Sequence, residues 1–487
     1  MAVASAAGAL LLGACGDFNV TNPNQPTLDD LLNNPTRGKL SSAATGLLIA
    51  TRTDVTTFIW TVGSTGREGV NLLGNNQPDY QEPYFGPLQS GGSIGPGHWN
   101  LQYQAIRSAN VYLSAVPKVV GQPAPNGLTA EEGSASLGYG KTLKAINFLY
   151  VIMTHGNTGA PVDVDQAVDA PPAPFVPEDS VYGYILGLLN DAQNDLTAAG
   201  TAAFPFPLPS GFAGFDTPAT FLKFNRALAA KAYLLRATAA NSSCAGTCYA
   251  SALTALGASF INPDPATFAD GVYYNFSAGA GDTENELSDP LDGPNFFALP
   301  ILKTLSQKQP GGADDQRAID KIAPKVGPDQ ILGGIPIPGN LKFTMYLTGG
   351  DADVSHPIPI IRNEELLLLR AEAKLGQNDL AGAIADINVV RTNAGKLAPY
   401  AGPSTPDAVL TELLYNRRYS LLWEQGTTWI DARRFGRIVN GYIQGIGELP
   451  GFNTNGIPPS SVPLRFPVPS TECNARGLPS DCSPLGT

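Results

Sequence analysis

The sequence predicts an all-α protein built from helical hairpins, with long irregular loops gathered on one face. Three observations carry that expectation. Two helical periods follow each other closely between Glu364 and Gly395. A second stretch, TPATFLKFNRALAAKAYLLRATAA from Thr217, sets Ala227, Ala230, Leu234 and Ala237 on one face of a helix. With 53 glycines and 42 prolines among 487 residues, the helices must also be joined by long irregular connections.

Taken in order, Leu28 to Thr51 reads as helical and Thr53 to Gly97 as an irregular stretch rich in Gly, Asn, Gln and aromatics. The run HWNLQYQAIRSANVYLSAV, starting at His98, predicts a long helix whose partner lies around Leu137 to Met153, so Trp99 is expected to pack between helices. Glu178 to Ala199 is amphipathic, Phe204 to Asp216 is a Pro/Phe-rich link, and Tyr249 to Leu256 completes a hairpin with the Ala-rich helix. Ile261 to Pro359 lacks strong periodicity. The hairpin after it is the clearest: Leu368, Ala371 and Leu375 recur at helical spacing behind Glu364 and Glu365, which suit the positive end of a helix dipole, and Gly376 is placed to close the helix. Asp379 then caps a second helix with an Ala383, Ile387, Val390 stripe that stops at Gly395. A two-helix unit of roughly 34 residues with alanines at the close approach has tetratricopeptide spacing. On periodicity alone, a lone hairpin in another all-α domain fits equally.

A formal net charge of −12 excludes a basic stripe for phosphate backbones and argues against nucleic acid; the same sign disfavours anionic ligands. The first residues, MAVASAAGALLLGAC, place an apolar run from Ala6 to Leu12 and small residues Gly13 and Ala14 directly before Cys15. That is the arrangement a signal peptidase needs to cut before a cysteine that becomes lipid-modified, although no Lys or Arg precedes the run, which points to a start further upstream. The other cysteines fall into two close pairs, Cys244 with Cys248 and Cys473 with Cys482. In an exported protein these read as two local disulfides, since neither pair has a nearby histidine to complete a metal site.

Catalytic signatures are sparse. The three histidines, His98, His155 and His356, share no metal-like spacing, and there is no P-loop, dinucleotide fingerprint or G-x-S-x-G elbow. Asp163 with Asp165, and Asp351 with Asp353, have the composition of a glycosidase pair, but acids in loops are ordinarily solvated. No cofactor and no metal are called for. The aromatic loops are more suggestive: Tyr80, Tyr84 and Phe85 sit in NNQPDYQEPYFGPLQ, and Tyr273, Tyr274 and Phe276 in GVYYNFSAG, beside Asn and Gln. Sugars present flat C–H faces rimmed by hydroxyls, which exposed rings beside amides would bind.

The wording and order of IRNEELLLLRAEAKLGQNDLAGAIADINVVRTNAG, LTELLYNRRYSLLWEQGTTWIDARRFGR and the closing PLRFPVPSTECNARG resemble the SusD/RagB family of surface lipoproteins, as do HWNLQYQAIRSAN and the HGNTGAPVD turn. The resemblance implies a signal peptide at 1–14, a lipidated tether at 15–27 and one SusD-like domain at 28–487. Within that domain come N-terminal repeats to about 258, a variable ligand-face region at about 261–359, and C-terminal repeats with a closing segment from about 360. It further implies four hairpin repeats and a binder rather than an enzyme, anchored by lipid to the outer membrane at the cell surface. Such a protein delivers an oligosaccharide or similar solute to a TonB-dependent, SusC-like transporter. A peptide ligand, and a structural or adhesive role on the same scaffold, are the alternatives. Where the family places charged residues in its basic helix, this chain has Asn416, Ser420 and Thr428, which predicts a thinner charge network there.

Overall fold

A computed structural model describes residues 28–72, 88–167, 169–332, 335–337, 340–425, 427–438, 462–480, 482 and 484–485. Cys15, Tyr80, Tyr84 and Phe85 lie outside the described residues. The helices are α1 (Leu28–Asn33), α2 (Arg37–Arg52), α3 (Val55–Thr65), α4 (Pro96–Val119), α5 (Ala130–His155), α6 (Glu178–Ala198), α7 (Pro218–Ala237), α8 (Ala245–Gly257), the short α9 (Ile301–Thr304) and α10 (Gln316–Lys321), then α11 (Asn363–Gly376), α12 (Leu380–Asn393), α13 (Pro406–Ser420), α14 (Thr427–Arg434) and α15 (Ser470–Ala475). From α4 to α8, and again from α11 to α13, each helix packs on the one before it, and α8 packs on α11 to join the two runs. The all-α expectation holds.

Local chemistry starts and stops these helices. Thr129 and Glu132 form a reciprocal capping box at α5, Thr129 Oγ1 accepting from the Glu132 N–H at 3.2 Å and Glu132 Oε2 accepting from the Thr129 N–H at 3.0 Å. Asp379 caps α12 by accepting from the Gly382 N–H at 2.9 Å. The turn between α11 and α12 differs from expectation in one detail: Gly376 is the last helical residue, and Asn378, with φ of 63°, supplies the left-handed step.

Two parts of the chain depart from the sequence reading. Residues expected to be irregular after Thr53 include α3, whose VTTFIWTVGST sequence is rich in β-branched residues and poor in helix propensity. All but one of its residues are buried, so tertiary burial overrides propensity. At Gly63 an added Cβ would sit 2.7 Å from the Trp423 ring, so only glycine lets that indole close on the helix. The second departure is the 261–359 region, which holds strands rather than loops alone. Leu341–Phe343 and Phe296–Ala298 form the middle of a four-stranded antiparallel sheet edged by Gly69–Asn71 and Ile322–Pro324. A separate two-stranded ribbon sets Gly271–Tyr274 against Ile358–Arg362, with Tyr273 opposite Pro359 and Tyr274 opposite Ile358. Strands of three to five residues are too short to display their period of two.

The basic helix, with neutral Asn416, Ser420 and Thr428, joins a buried charge network. Arg417 and Arg434 both pair with Glu372 and with Asp431, the latter at 3.0 Å each. Arg362 bridges Glu364 and Glu424, the second at 2.9 Å, and Lys321 reaches Glu424 at 2.8 Å. The three neutral residues all take part. The Asn416 amide donates to Glu412 at 2.6 Å, the Ser420 hydroxyl donates to Glu364 and accepts from Arg317 at 3.0 Å, and the Thr428 hydroxyl donates to Glu68 at 2.6 Å. Burial pushes Glu372 upward, but Arg434 and Arg417 overcome it and hold the carboxyl below its usual range. At Glu68 burial wins: it raises the carboxyl to about 6, against hydrogen bonds from Thr428 and the Trp423 N–H and the charge of Arg418.

Trp99 packs as expected, stacked on Phe175 at 5.6 Å and edge-on to His155 at 4.7 Å. Trp429 is fully buried, its indole N–H donating to the Pro463 carbonyl at 2.6 Å. Disulfides join Cys244 to Cys248 and Cys473 to Cys482, with Cα atoms 5.3 and 5.7 Å apart. The first does not bridge a free loop: Cys244 is the cap of α8 and Cys248 lies in its opening turn.

Removing the shared acid at Glu372→Ala leaves two buried guanidinia competing for Asp431, and the expected loss is about 3–5 kcal/mol in urea unfolding. A second expectation concerns acid. Burial holds His155 neutral, down to about 3 from an ordinary 6.5, while hydrogen bonds to the Val151 and Pro467 carbonyls oppose the shift. Between those values the unfolded chain binds a proton that the folded one refuses, so the stability His155 supports above pH 6.5 is lost as pH falls. Relative to His155→Gln, the wild type should lose about 1.4 kcal/mol per pH unit between pH 6.5 and 4.5; a constant difference would contradict this.

Candidate functional site

Alternation along one strand builds the site. In Gly271–Tyr274 and its continuation, Val272, Tyr274 and Phe276 point inward and are buried, whereas Gly271, Tyr273 and Asn275 face outward and are half-buried. This corrects the expected aromatic platform: Tyr274 and Phe276 are core residues, and of that trio only Tyr273 reaches the surface. Tyr274 lies within the reach of the Tyr150 hydroxyl at 3.4 Å, and Phe276 carries the Arg52 guanidinium 5.1 Å from its ring centre.

The outward face floors a groove of about 590 Å³. Its walls are the turn at Ser210–Phe212, the segment after α8 and the start of the strand itself. Phe215 and Phe260 meet edge-to-face at 4.8 Å on one side, and the exposed Asn262 and Asp270 line the rim with Pro357. Asn275 ties floor to wall, its Oδ1 accepting from the Gly211 N–H at 2.7 Å and its amide donating to the Ser210 hydroxyl at 3.0 Å. That approach requires glycine: a Cβ at Gly211 would lie 2.2 Å from the Tyr273 carbonyl. The Tyr273 hydroxyl donates to the Ala269 carbonyl, and burial raises its pKa, so it stays a neutral phenol.

A second cavity of about 420 Å³ shares Tyr273 and Asn275 with the first and is more apolar, lined by Leu48, Ile49, Pro207 and Leu208. Arg52 borders it, donating to the Asn275 carbonyl and pairing with Asp282. Burial acts against that acid, but the Arg52 hydrogen bond holds it below its ordinary range.

Rings beside amides, a hydroxyl and a carboxylate make a surface for binding polar, flat-faced molecules. Among the described residues no group of three or more His, Cys, Asp or Glu side chains could hold a metal ion. His98 is buried against Asp54, and His356 stands 3.5 Å from Asp353, which is already engaged by Ser355 and Thr348. Asp163 and Asp165 are both exposed. Ser210, Phe260, Asn262 and Asn275 were not singled out in the sequence. The available signal was the alternation of GVYYNF itself, which places Tyr273 and Asn275 on one face.

The SusD family model matches residues 342–462. No curated protein sequence matches the chain. Among solved structures, a SusD-like carbohydrate-binding protein from Bacteroides fragilis superposes with a TM-score of 0.68 at 14% identity, over 92% of this chain and 99% of that one. A SusD superfamily protein from Bacteroides thetaiotaomicron gives 0.64 at 15% identity, over 91% and 98%. A laminarin-binding SusD-like protein gives 0.57 at 16%, also over 91% and 98%. At these identities the likeness is one of fold, and it runs the length of the chain. The C-terminal segment is thus similar to the SusD family, and the chain as a whole shares the fold of SusD-like proteins.

Proposed function

We propose that the protein is a non-catalytic binder that captures an oligosaccharide in the groove over Tyr273 at the cell surface. It is held to the outer membrane by a lipid on Cys15 and hands its ligand to a TonB-dependent, SusC-like transporter. The observation that carries the reading is the groove's composition: one half-buried tyrosine and a phenylalanine pair set beside Asn262, Asp270 and Asn275. Ring faces match the C–H face of a sugar, and amides serve its hydroxyls as both donor and acceptor. The carbohydrate-binding and laminarin-binding proteins of like fold support a glycan. Anchoring rests on the apolar run and small residues before Cys15, and no described helix is long and apolar enough to cross a membrane.

A glycan array probed with the chain starting after Cys15 is expected to return glycan hits; binding confined to a peptide pool would overturn the glycan reading. For the best hit, Tyr273→Ala should weaken binding about two- to tenfold, the range of one stacking contact, with the melting temperature nearly unchanged. Tyr274→Ala should cost about 3–5 kcal/mol of stability through a cavity. Metabolic labelling with a fatty acid should tag the wild type and spare Cys15→Ala, and equal labelling of both would remove the anchor.

A further inference from the structure

We propose a second ligand site, specific for a carboxylate-bearing sugar such as a uronic-acid unit, between α4 and the end of α15. A cavity of about 470 Å³ lies there and shares no lining residue with the groove over Tyr273. Asn100, Tyr103, Gln104 and Arg107 fall at i, i+3, i+4 and i+7 and so line it from one face of α4. Arg476 and Glu472 face them, on a segment tied down by the Cys473–Cys482 disulfide.

The charges favour an anion at this one place. Arg476 is engaged, donating from Nε and Nη2 to a single Glu472 oxygen at 3.0 and 2.6 Å while lying 4.7 Å over the Phe175 ring. Arg107 is not: it donates only to the Gln166 carbonyl at 3.1 Å, and no carboxylate among the described residues pairs with it. In a chain of net charge −12, other arginines that line cavities, Arg52, Arg417, Arg434 and Arg476, each hold an acid, and Arg107 does not. The three charged side chains lining the cavity sum to one positive charge, and a guanidinium fork fits a carboxylate with two parallel hydrogen bonds. Asp163 and Asp165, on the segment that crosses nearby, are exposed and do not line the cavity. The half-buried Tyr103 ring offers a flat face, and Asn100 and Gln104 offer amides for ring hydroxyls, which a bare carboxylate would leave unused.

The test is calorimetric titration with trigalacturonate, with the same trisaccharide as its methyl ester, and with triglycine. The acid is expected to bind about tenfold or more tighter than the ester at low salt, and the gap should narrow as salt rises. Arg107→Gln should erase the gap, Arg107→Lys should keep part of it, and Tyr273→Ala should leave it unchanged. Four results would overturn the proposal: no binding of trigalacturonate, equal binding of acid and ester, loss of the gap in Tyr273→Ala, or triglycine binding as tightly as trigalacturonate.

Discussion

Arg362 is buried, and a buried guanidinium left without acids or other acceptors destabilises the region around it. Its partners come from three directions: Glu364 at the head of α11, Glu424 in the turn after α13, and the Ser420 carbonyl at the end of α13. Lys321 closes the cluster from the end of α10. Arg362 is also the last residue of the strand that pairs with Gly271–Tyr274, so the cluster fixes from behind the ribbon whose outward face floors the groove. Gln425 strengthens the tie, donating to the Pro359 and Ile360 carbonyls while accepting from Lys231 at 3.1 Å.

This division of labour explains where the family likeness falls. Residues 342–462 include the strand at Ile358–Arg362, α11 to α14 and Trp423, whose left-handed backbone at φ 55° is held by the Tyr346 hydroxyl donating to its carbonyl at 2.9 Å. These are buried parts whose chemistry is constrained by one another. The residues around the groove, Ser210, Phe260, Asn262 and Tyr273, lie outside that match, on turns and a short ribbon free to vary once the scaffold behind them is set. The segment that is similar to the SusD family is therefore one that builds the scaffold, and the ligand must be read from elsewhere.

Long helices were legible because each carries several turns of a 3.6-residue period, and the α11–α12 hairpin also carries its caps in Glu364, Glu365 and Asp379. α3 was not, because its helical state depends on burial against partners distant in sequence, among them Trp423, which closes on Gly63. The site was half legible. GVYYNF marks a cluster of aromatics beside an amide, and the period of two sorts them, sending Tyr274 and Phe276 into the core and leaving Tyr273 with Asn275. At Asn416, Ser420 and Thr428, neutral residues inside a charge cluster act as hydrogen-bond partners: Glu364 and Glu68 reach Ser420 and Thr428 from other elements, while Glu412 stands one turn before Asn416 on the same helix.

The central claim is that the buried charge cluster positions the groove-bearing ribbon. Amide hydrogen exchange in the wild type and in Glu424→Gln tests it most directly, because that change removes one charge from the cluster and none from the groove. Faster exchange at Val272 to Tyr274, with the α4–α5 hairpin unchanged, is the predicted result. Unaltered protection of the ribbon, or uniform loss across the whole molecule, would contradict it.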